Sequence, residues 1–148
     1  MTQKEFIEVL KEKDYSYEIE GDKIIVTSKG NVHLYALTSL PPDVVFKNGG
    51  NVNLESLTSL PPGVEFRNKG DVDLDSLTSI PPGVEFSNGG GVYLRALTSL
   101  PPGVVFSNGG GVYLRALIGE WISGLEGNIR GVTSKRLLNL MIKRGMFI

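Results

Sequence analysis

Apolar side chains recur every twenty residues along most of this chain. The motif Val-x-Leu occurs at Val32 and returns four more times without a change of register, the last time at Val112. Further apolar positions repeat with the same period, and the resulting columns begin at Val32, Leu34, Leu37, Leu40, Val44 and Phe46. A period in this range predicts stacked units, in which each apolar column packs on its own copies above and below.

Within one unit the residue pattern predicts short strands separated by sharp corners. Val52-x-Leu54 and Val64-x-Phe66 alternate apolar and polar residues, which is typical of a strand with one buried face. Asn48-Gly49-Gly50 and its copies predict one corner, where glycine is expected to take a positive φ. Pro61-Pro62-Gly63 predicts another, because proline ends strand pairing. The sequence therefore predicts a mainly β solenoid of about five 20-residue coils.

The repeat resembles a known class of repeat protein. Leu57-Thr-Ser-Leu-Pro-Pro-Gly-Val, followed by the Val-x-Leu strand, is similar to the short bacterial type of leucine-rich repeat. It is also similar to small repeat proteins of bacteriophages and their hosts. The resemblance covers residues 30–117 and departs from the pattern at each Asn-Gly-Gly, which favours a flatter, leucine-rich-repeat-like β-solenoid. It implies protein recognition through the strand face and no catalysis.

The two ends of the chain predict caps on a single domain spanning 1–148. Residues 1–20 are predicted as an N-terminal cap with a helix, begun by a capping box at Thr2 and Glu5, and a hairpin. Residues 21–117 form the predicted solenoid, with Ile24 and Val26 expected in the Val44 and Phe46 columns. Exposed ends of a solenoid need such covers.

Residues 118–148 are predicted as a C-terminal helical cap. The repeat ends at Ile118, and Trp121 is expected to cover the last coil. A helix is predicted from about residue 134 to 144, with Gly145 at its end and Leu137, Leu138, Met141 and Ile142 on its apolar face.

Composition excludes several classes of function. Basic and acidic residues are balanced at 15 and 16, so the basic excess of a nucleic-acid-binding protein is absent. The chain has no cysteine, which excludes disulfides and thiolate metal sites. The N-terminus lacks the pattern of a signal peptide, and no apolar run approaches the length of a membrane span. The expectation is a soluble cytoplasmic protein that uses neither membrane nor nucleic acid.

Candidate catalytic and metal-binding groups are few. His33 is the only histidine, so any Ser-His-Asp arrangement would depend on one outward-facing residue. Glu55, Asp73 and Asp75 are the best candidates for oxygen ligation of calcium or magnesium, but they match no calcium-loop motif. The sequence predicts no enzyme activity, no metal and no cofactor.

The positions that vary between copies predict a binding surface. Two adjacent columns flank the Leu of Val-x-Leu, and we call them together the outward stripe. Its members are His33, Tyr35, Asn53, Glu55, Asp73, Asp75, Tyr93, Arg95, Tyr113 and Arg115. Tyrosine and arginine are enriched at interface hot spots. The stripe therefore predicts a protein partner, and the phage resemblance implies an inhibitor or modulator of a host or defence protein.

Other interpretations of the outward stripe stay open from sequence. Two almost identical coils could carry tyrosine and arginine passively after a duplication. A structural or self-assembling module and a carbohydrate or small-ligand binder are the alternative functions. The opposite outward face, with Val45, Glu65, Glu85 and Val105, mixes charges and is expected to be solvated.

Overall fold

The computed structural model describes residues 1–116 and 135–145, and within them the chain folds as a β-solenoid. Each 20-residue unit gives one short strand to each of two sheets. Sheet 1 has the order β1 (Tyr17–Glu20), β2 (Lys23–Val26), β4 (Val44–Phe46), β6 (Glu65–Phe66), β8 (Glu85–Phe86), β10 (Val105–Phe106). Sheet 2 stacks β3 (Val32–His33), β5 (Val52–Asn53), β7 (Val72–Asp73), β9 (Val92–Tyr93) and β11 (Val112–Tyr113). All neighbours are parallel except β1 and β2.

Residues twenty apart lie directly over one another, as the period predicts. Val52 lies opposite Val72 in sheet 2, and Phe46 lies opposite Phe66 in sheet 1. The buried rings of Phe46, Phe66, Phe86 and Phe106 form one continuous stack, with centroids 5.5, 5.5 and 5.1 Å apart. The apolar columns thus form a single core between the sheets.

The number of coils is slightly lower than predicted. Four steps of twenty residues lead from β3 to β11, so the chain makes about four turns. The prediction of about five coils counted each copy of Val-x-Leu, although five stacked strands enclose only four complete turns. Leu117, where the predicted solenoid ends, lies outside the described residues.

The prediction of a positive φ at Asn-Gly-Gly is wrong. The left-handed conformation occurs instead in the Pro-Pro-Gly corner, for example at Gly63 with φ 78°, and Asp43 takes it in the first coil with φ 62°. Gly70, in the Asn-Gly-Gly position, is needed because the coils approach closely there. A Cβ on Gly70 would lie 2.8 Å from both the backbone nitrogen of Asn51 and the carbonyl carbon of Gly50.

The asparagine of this corner is a structural feature that the sequence analysis missed. Asn68 is 1% exposed, and its Nδ2 donates hydrogen bonds to the carbonyl oxygens of Gly50, Gly70 and Asp71 at 3.0, 3.2 and 3.1 Å. The equivalent asparagines repeat these contacts; they are Asn48, Asn88 and Asn108. Because one of the three acceptors belongs to the preceding coil, each amide ties two coils together.

The N-terminal cap forms as predicted. Helix α1 (Gln3–Glu12) begins with the capping box, in which the backbone N–H of Glu5 donates to Thr2 Oγ1 at 3.1 Å. Its Phe6 and Leu10 are fully buried. Strand β1 pairs with the outer edge of β2, and the Ile24–Val44 and Val26–Phe46 registers are confirmed. Strand β1 is therefore the edge strand at this end of sheet 1.

At the other end, helix α2 (Lys135–Lys143) covers the last described strand of sheet 1. Leu138 and Ile142 enter the core. The amide of Asn139 takes the place of a further strand, since Oδ1 accepts from the backbone N–H of Phe106 at 2.7 Å and Nδ2 donates to its carbonyl at 2.9 Å. The helix ends at Lys143, and Gly145, predicted as its C-terminal stop, follows it with φ 70°. Trp121 and the side chains of Leu137 and Met141 lie outside the described residues.

Candidate protein-interaction surface

The outward stripe lies on the exposed side of sheet 2. The strand register places His33, Asn53, Asp73, Tyr93 and Tyr113 in one row, while the valines before them and the leucines after them face the core. The second row runs from Tyr35 to Arg115 beside it. All ten predicted side chains are exposed or half-buried, and Tyr35 and Tyr113 are 53% and 42% exposed.

Tyr93, Tyr113, Arg95 and Asp75 form a cluster in the C-terminal half of the stripe. The two tyrosine rings stack with centroids 4.5 Å apart and planes inclined by 4°. The guanidinium carbon of Arg95 lies 4.9 Å from the Tyr93 centroid and 5.9 Å from that of Tyr113, within the range of a cation–π interaction. Arg95 Nη1 also pairs with Asp75 Oδ2 at 2.7 Å. The cluster is therefore a fixed aromatic and ionic surface.

A glycine that the sequence analysis did not single out lies beside this tyrosine stack. In the earlier coils the equivalent position carries a polar side chain; Asn51 Oδ1, for example, accepts from the backbone N–H of Asp71 at 2.8 Å. Gly91 and Gly111 replace that side chain in the two coils with tyrosine. A Cβ on Gly91 would lie 3.4 Å from Cε2 of Tyr113. The coincidence of glycine and tyrosine in these coils is the sequence signal that could have revealed the cluster.

Acidic side chains occupy the middle of the stripe. Asp73 Oδ1 accepts a hydrogen bond from the backbone N–H of Asp75 at 3.1 Å. Partial burial raises the pKa of Asp73, and repulsion from Asp75 and Glu55 adds to the rise, although the Asp75 N–H and Arg95 oppose it. Among residues 1–116 and 135–145, no three acidic, histidine or cysteine side chains are arranged to hold a metal ion.

Replacement of Asp73 by asparagine is expected to increase the free energy of unfolding at pH 7 by less than about 1 kcal/mol, because the side chain is half-exposed. A raised pKa in the folded state means that ionised Asp73 weakens the fold. The gain should therefore disappear as the pH falls below the ordinary aspartate pKa of about 3.9. Asn53 makes the equivalent bond to the N–H of Glu55, so asparagine fits the position. Urea unfolding at pH 7 and pH 3 measures the effect.

The matched control for this substitution is Asp75→Asn, which weakens the ion pair with Arg95. It should lower the free energy of unfolding slightly, by no more than about 1 kcal/mol. Equal destabilisation by both variants at pH 7 would contradict the cause given for the Asp73 pKa.

The N-terminal end of the stripe is separate from the tyrosine cluster. The backbone N–H of His33 donates to the hydroxyl of Tyr15 at 2.8 Å, which caps the edge of sheet 2. Lys13 Nζ lies 5.8 Å from the Tyr35 ring centroid. The cap thus contributes Lys13 to this surface, and the sequence analysis did not predict that contribution.

The opposite outward face, on sheet 1, is only partly solvated. Glu65 pairs with Arg67 at 3.4 Å and with Lys23 at 4.0 Å. Since β4 lies between β2 and β6, the Lys23–Glu65 pair spans β4, where Val45 is 2% exposed. Val45 therefore belongs to a covered apolar position, while Glu85 and Val105 are exposed as expected.

Comparison with protein families, curated proteins and solved structures found no match. In the part of the chain that the structure describes, no helix is long and apolar enough to cross a membrane.

Proposed function

We propose that this chain is a non-catalytic protein-binding solenoid that contacts its partner through the outward stripe. The observation that carries the proposal is the stack of the half-buried Tyr93 and the exposed Tyr113, with Arg95 lying over it. Tyrosine and arginine combine a large contact area with directional hydrogen bonds, and they dominate many interfaces.

The rigidity of the stripe supports binding further. Its first row belongs to the strands of sheet 2, whose inner side chains are part of the continuous core. Arg95 is held by Asp75 and by two rings before any partner arrives. A surface that is ordered in advance loses less side-chain entropy on binding, and therefore keeps more of its contact energy as affinity.

The class of partner follows from the resemblance of the repeat to the bacterial leucine-rich type and to phage repeat proteins. We propose that the bound surface belongs to a host or defence protein and that binding inhibits or modulates it. A partner with an acidic and apolar patch suits the half of the stripe that carries Tyr93, Tyr113, Arg95 and Arg115.

The test is affinity purification with mass spectrometry, using the wild type and a variant in which Tyr93, Arg95, Tyr113 and Arg115 are replaced by alanine. We expect the stripe variant to lose one or more specific proteins that the wild type retains. The matched control replaces Glu65, Arg67, Glu85 and Ser87, on the opposite face, by alanine. Circular dichroism verifies that all three proteins fold. Identical sets of bound proteins for the wild type and the stripe variant would refute the proposal.

A further inference from the structure

Charge changes sign halfway along the second row of the outward stripe. After Tyr35, one charged residue per coil follows in the order Glu55, Asp75, Arg95, Arg115, so this part of the row reads negative, negative, positive, positive. Read backwards, the same part is positive, positive, negative, negative. Two copies of the stripe that meet face to face in opposite directions would therefore set opposite charges against each other at these four coils.

The solenoid geometry brings all these pairs into register together. Both copies have the same spacing between coils, about 4.8 Å for paired strands. Consider a two-fold axis that runs parallel to the strands, between the coil of Asp75 and the coil of Arg95. This axis reverses the order of the coils, and each row of one copy faces the same row of the other copy. Asp75 then faces Arg95 of the second copy, and Glu55 faces Arg115 of the second copy.

The first row is complementary in the same arrangement. Asp73 faces Tyr93 of the second copy, and Asn53 faces Tyr113 of the second copy. A tyrosine hydroxyl can donate a hydrogen bond to the carboxylate or amide oxygen of these residues. Each contact occurs twice because a two-fold interface is isologous. Neither row sets two like charges opposite one another.

We propose that the outward stripe binds a second copy of this chain in an antiparallel dimer. This inference rests on the proposed function, because it assumes that the stripe is a protein-binding surface and names a second copy of the chain as the partner. A dimer of this form occupies the stripe while no other protein is bound, and it must separate before another partner can use the same residues.

Two charged side chains of the stripe could gain an ion-pair partner when the dimer forms. Glu55 and Arg115 form no ion pair within residues 1–116 and 135–145, whereas Asp75 and Arg95 are already paired. Dimerisation would add two Glu55–Arg115 pairs and would join the two existing pairs into a four-charge network. The stripe spans only a few coils, and a standard interface covers about 800 Å² per partner. The dimer should accordingly be weak, reversible and sensitive to salt.

Sedimentation equilibrium at up to about 1 mM chain detects even a millimolar dissociation constant. At low salt the average mass of the wild type should rise with concentration toward twice the 16.0 kDa of one chain. Raised salt should shift it back toward one chain. Glu55→Arg and Arg115→Glu each set two pairs of like charges across the interface, so each variant alone should bind itself at least about tenfold more weakly.

Mixing the two variants tests whether the charge pairs across the interface cause dimerisation. In an equimolar mixture, Arg at position 55 of one chain faces Glu at position 115 of the other, and the remaining pair is the native one. The mixture should therefore dimerise as the wild type does. Glu85→Arg, on the opposite face, is the matched charge control and should leave the wild-type dimer unchanged.

Each result decides the proposal. A wild type that stays monomeric at every concentration, single variants that dimerise as well as the wild type, or a mixture that stays monomeric would overturn it. Recovery in the mixture also shows that both variants are folded. If the wild type is monomeric but the stripe variant still loses a protein that the wild type binds, only the dimer is refuted. If the wild type dimerises but the stripe variant retains the same bound proteins as the wild type, only the proposed recognition of a host protein is refuted.

Discussion

Replacing Gly70 by alanine is expected to lower the free energy of unfolding by about 2–3 kcal/mol. The new methyl group would overlap Asn51 Oδ1 and would lie 2.8 Å from the Asn51 nitrogen and the Gly50 carbonyl carbon. Two of these three atoms are backbone atoms of the preceding coil, which can move only if the coils separate. Chemical denaturation monitored by circular dichroism measures the loss.

Gly30→Ala is the control for this effect, because Gly30 occupies the same position in the first coil. Among residues 1–116 and 135–145, no coil lies beneath Gly30, and an added Cβ would meet no heavy atom within 4 Å. Alanine at this position should change the free energy of unfolding by no more than about 0.5 kcal/mol. A similar loss for both variants would mean that backbone conformation, and not close approach of the coils, requires glycine there.

Substitution of Asn68 by alanine is expected to cost about 1–3 kcal/mol of stability. The two amide hydrogens are shared among three part-buried carbonyl acceptors, on Gly50, Gly70 and Asp71, and each hydrogen contributes about 0.5–1.5 kcal/mol. Each acceptor carbonyl also receives a backbone N–H, so none is left wholly unpaired. The half-buried Asn53 is the control, and its replacement by alanine should cost less than about 1 kcal/mol.

Asn68→Asp separates the role of the donor from that of side-chain size. A carboxylate would face three carbonyl oxygens in a buried position, so its pKa in the folded protein should rise above that of the unfolded chain. The variant should therefore be less stable than Asn68→Ala at pH 7 and should recover stability as the pH falls toward about 3.9. Greater stability of the aspartate variant at pH 7 would contradict the assignment of Nδ2 as the atom that contacts the carbonyls.

The positions of the outward stripe could be predicted from sequence because the strand register fixes which residues lie over one another. Once Val52 is known to lie over Val72, Asn53 must lie over Asp73 on the other side of the strand. Contacts between neighbouring side chains could not be predicted in this way. The position of Arg95 over Tyr93 and its pairing with Asp75 depend on side-chain rotamers, which periodicity does not encode.

The ends of the chain show the same division. The capping box at Thr2 and Glu5 is local, so four residues of sequence suffice to predict it. Asn139 is different, because its amide completes the edge of a strand 33 residues away. Nothing in the helix itself shows that one of its polar residues takes the place of a missing strand.

The sequence by itself determined the period, the stacked apolar columns, both caps and the membership of the outward stripe, because each follows from the spacing of residues along the chain. Only the tertiary structure decided why Gly70 must be glycine and what Asn68 binds. It also decided how Tyr93 and Tyr113 stack. These features depend on atoms of different coils, whose separation is set by the stacking of the coils and not by any single stretch of sequence.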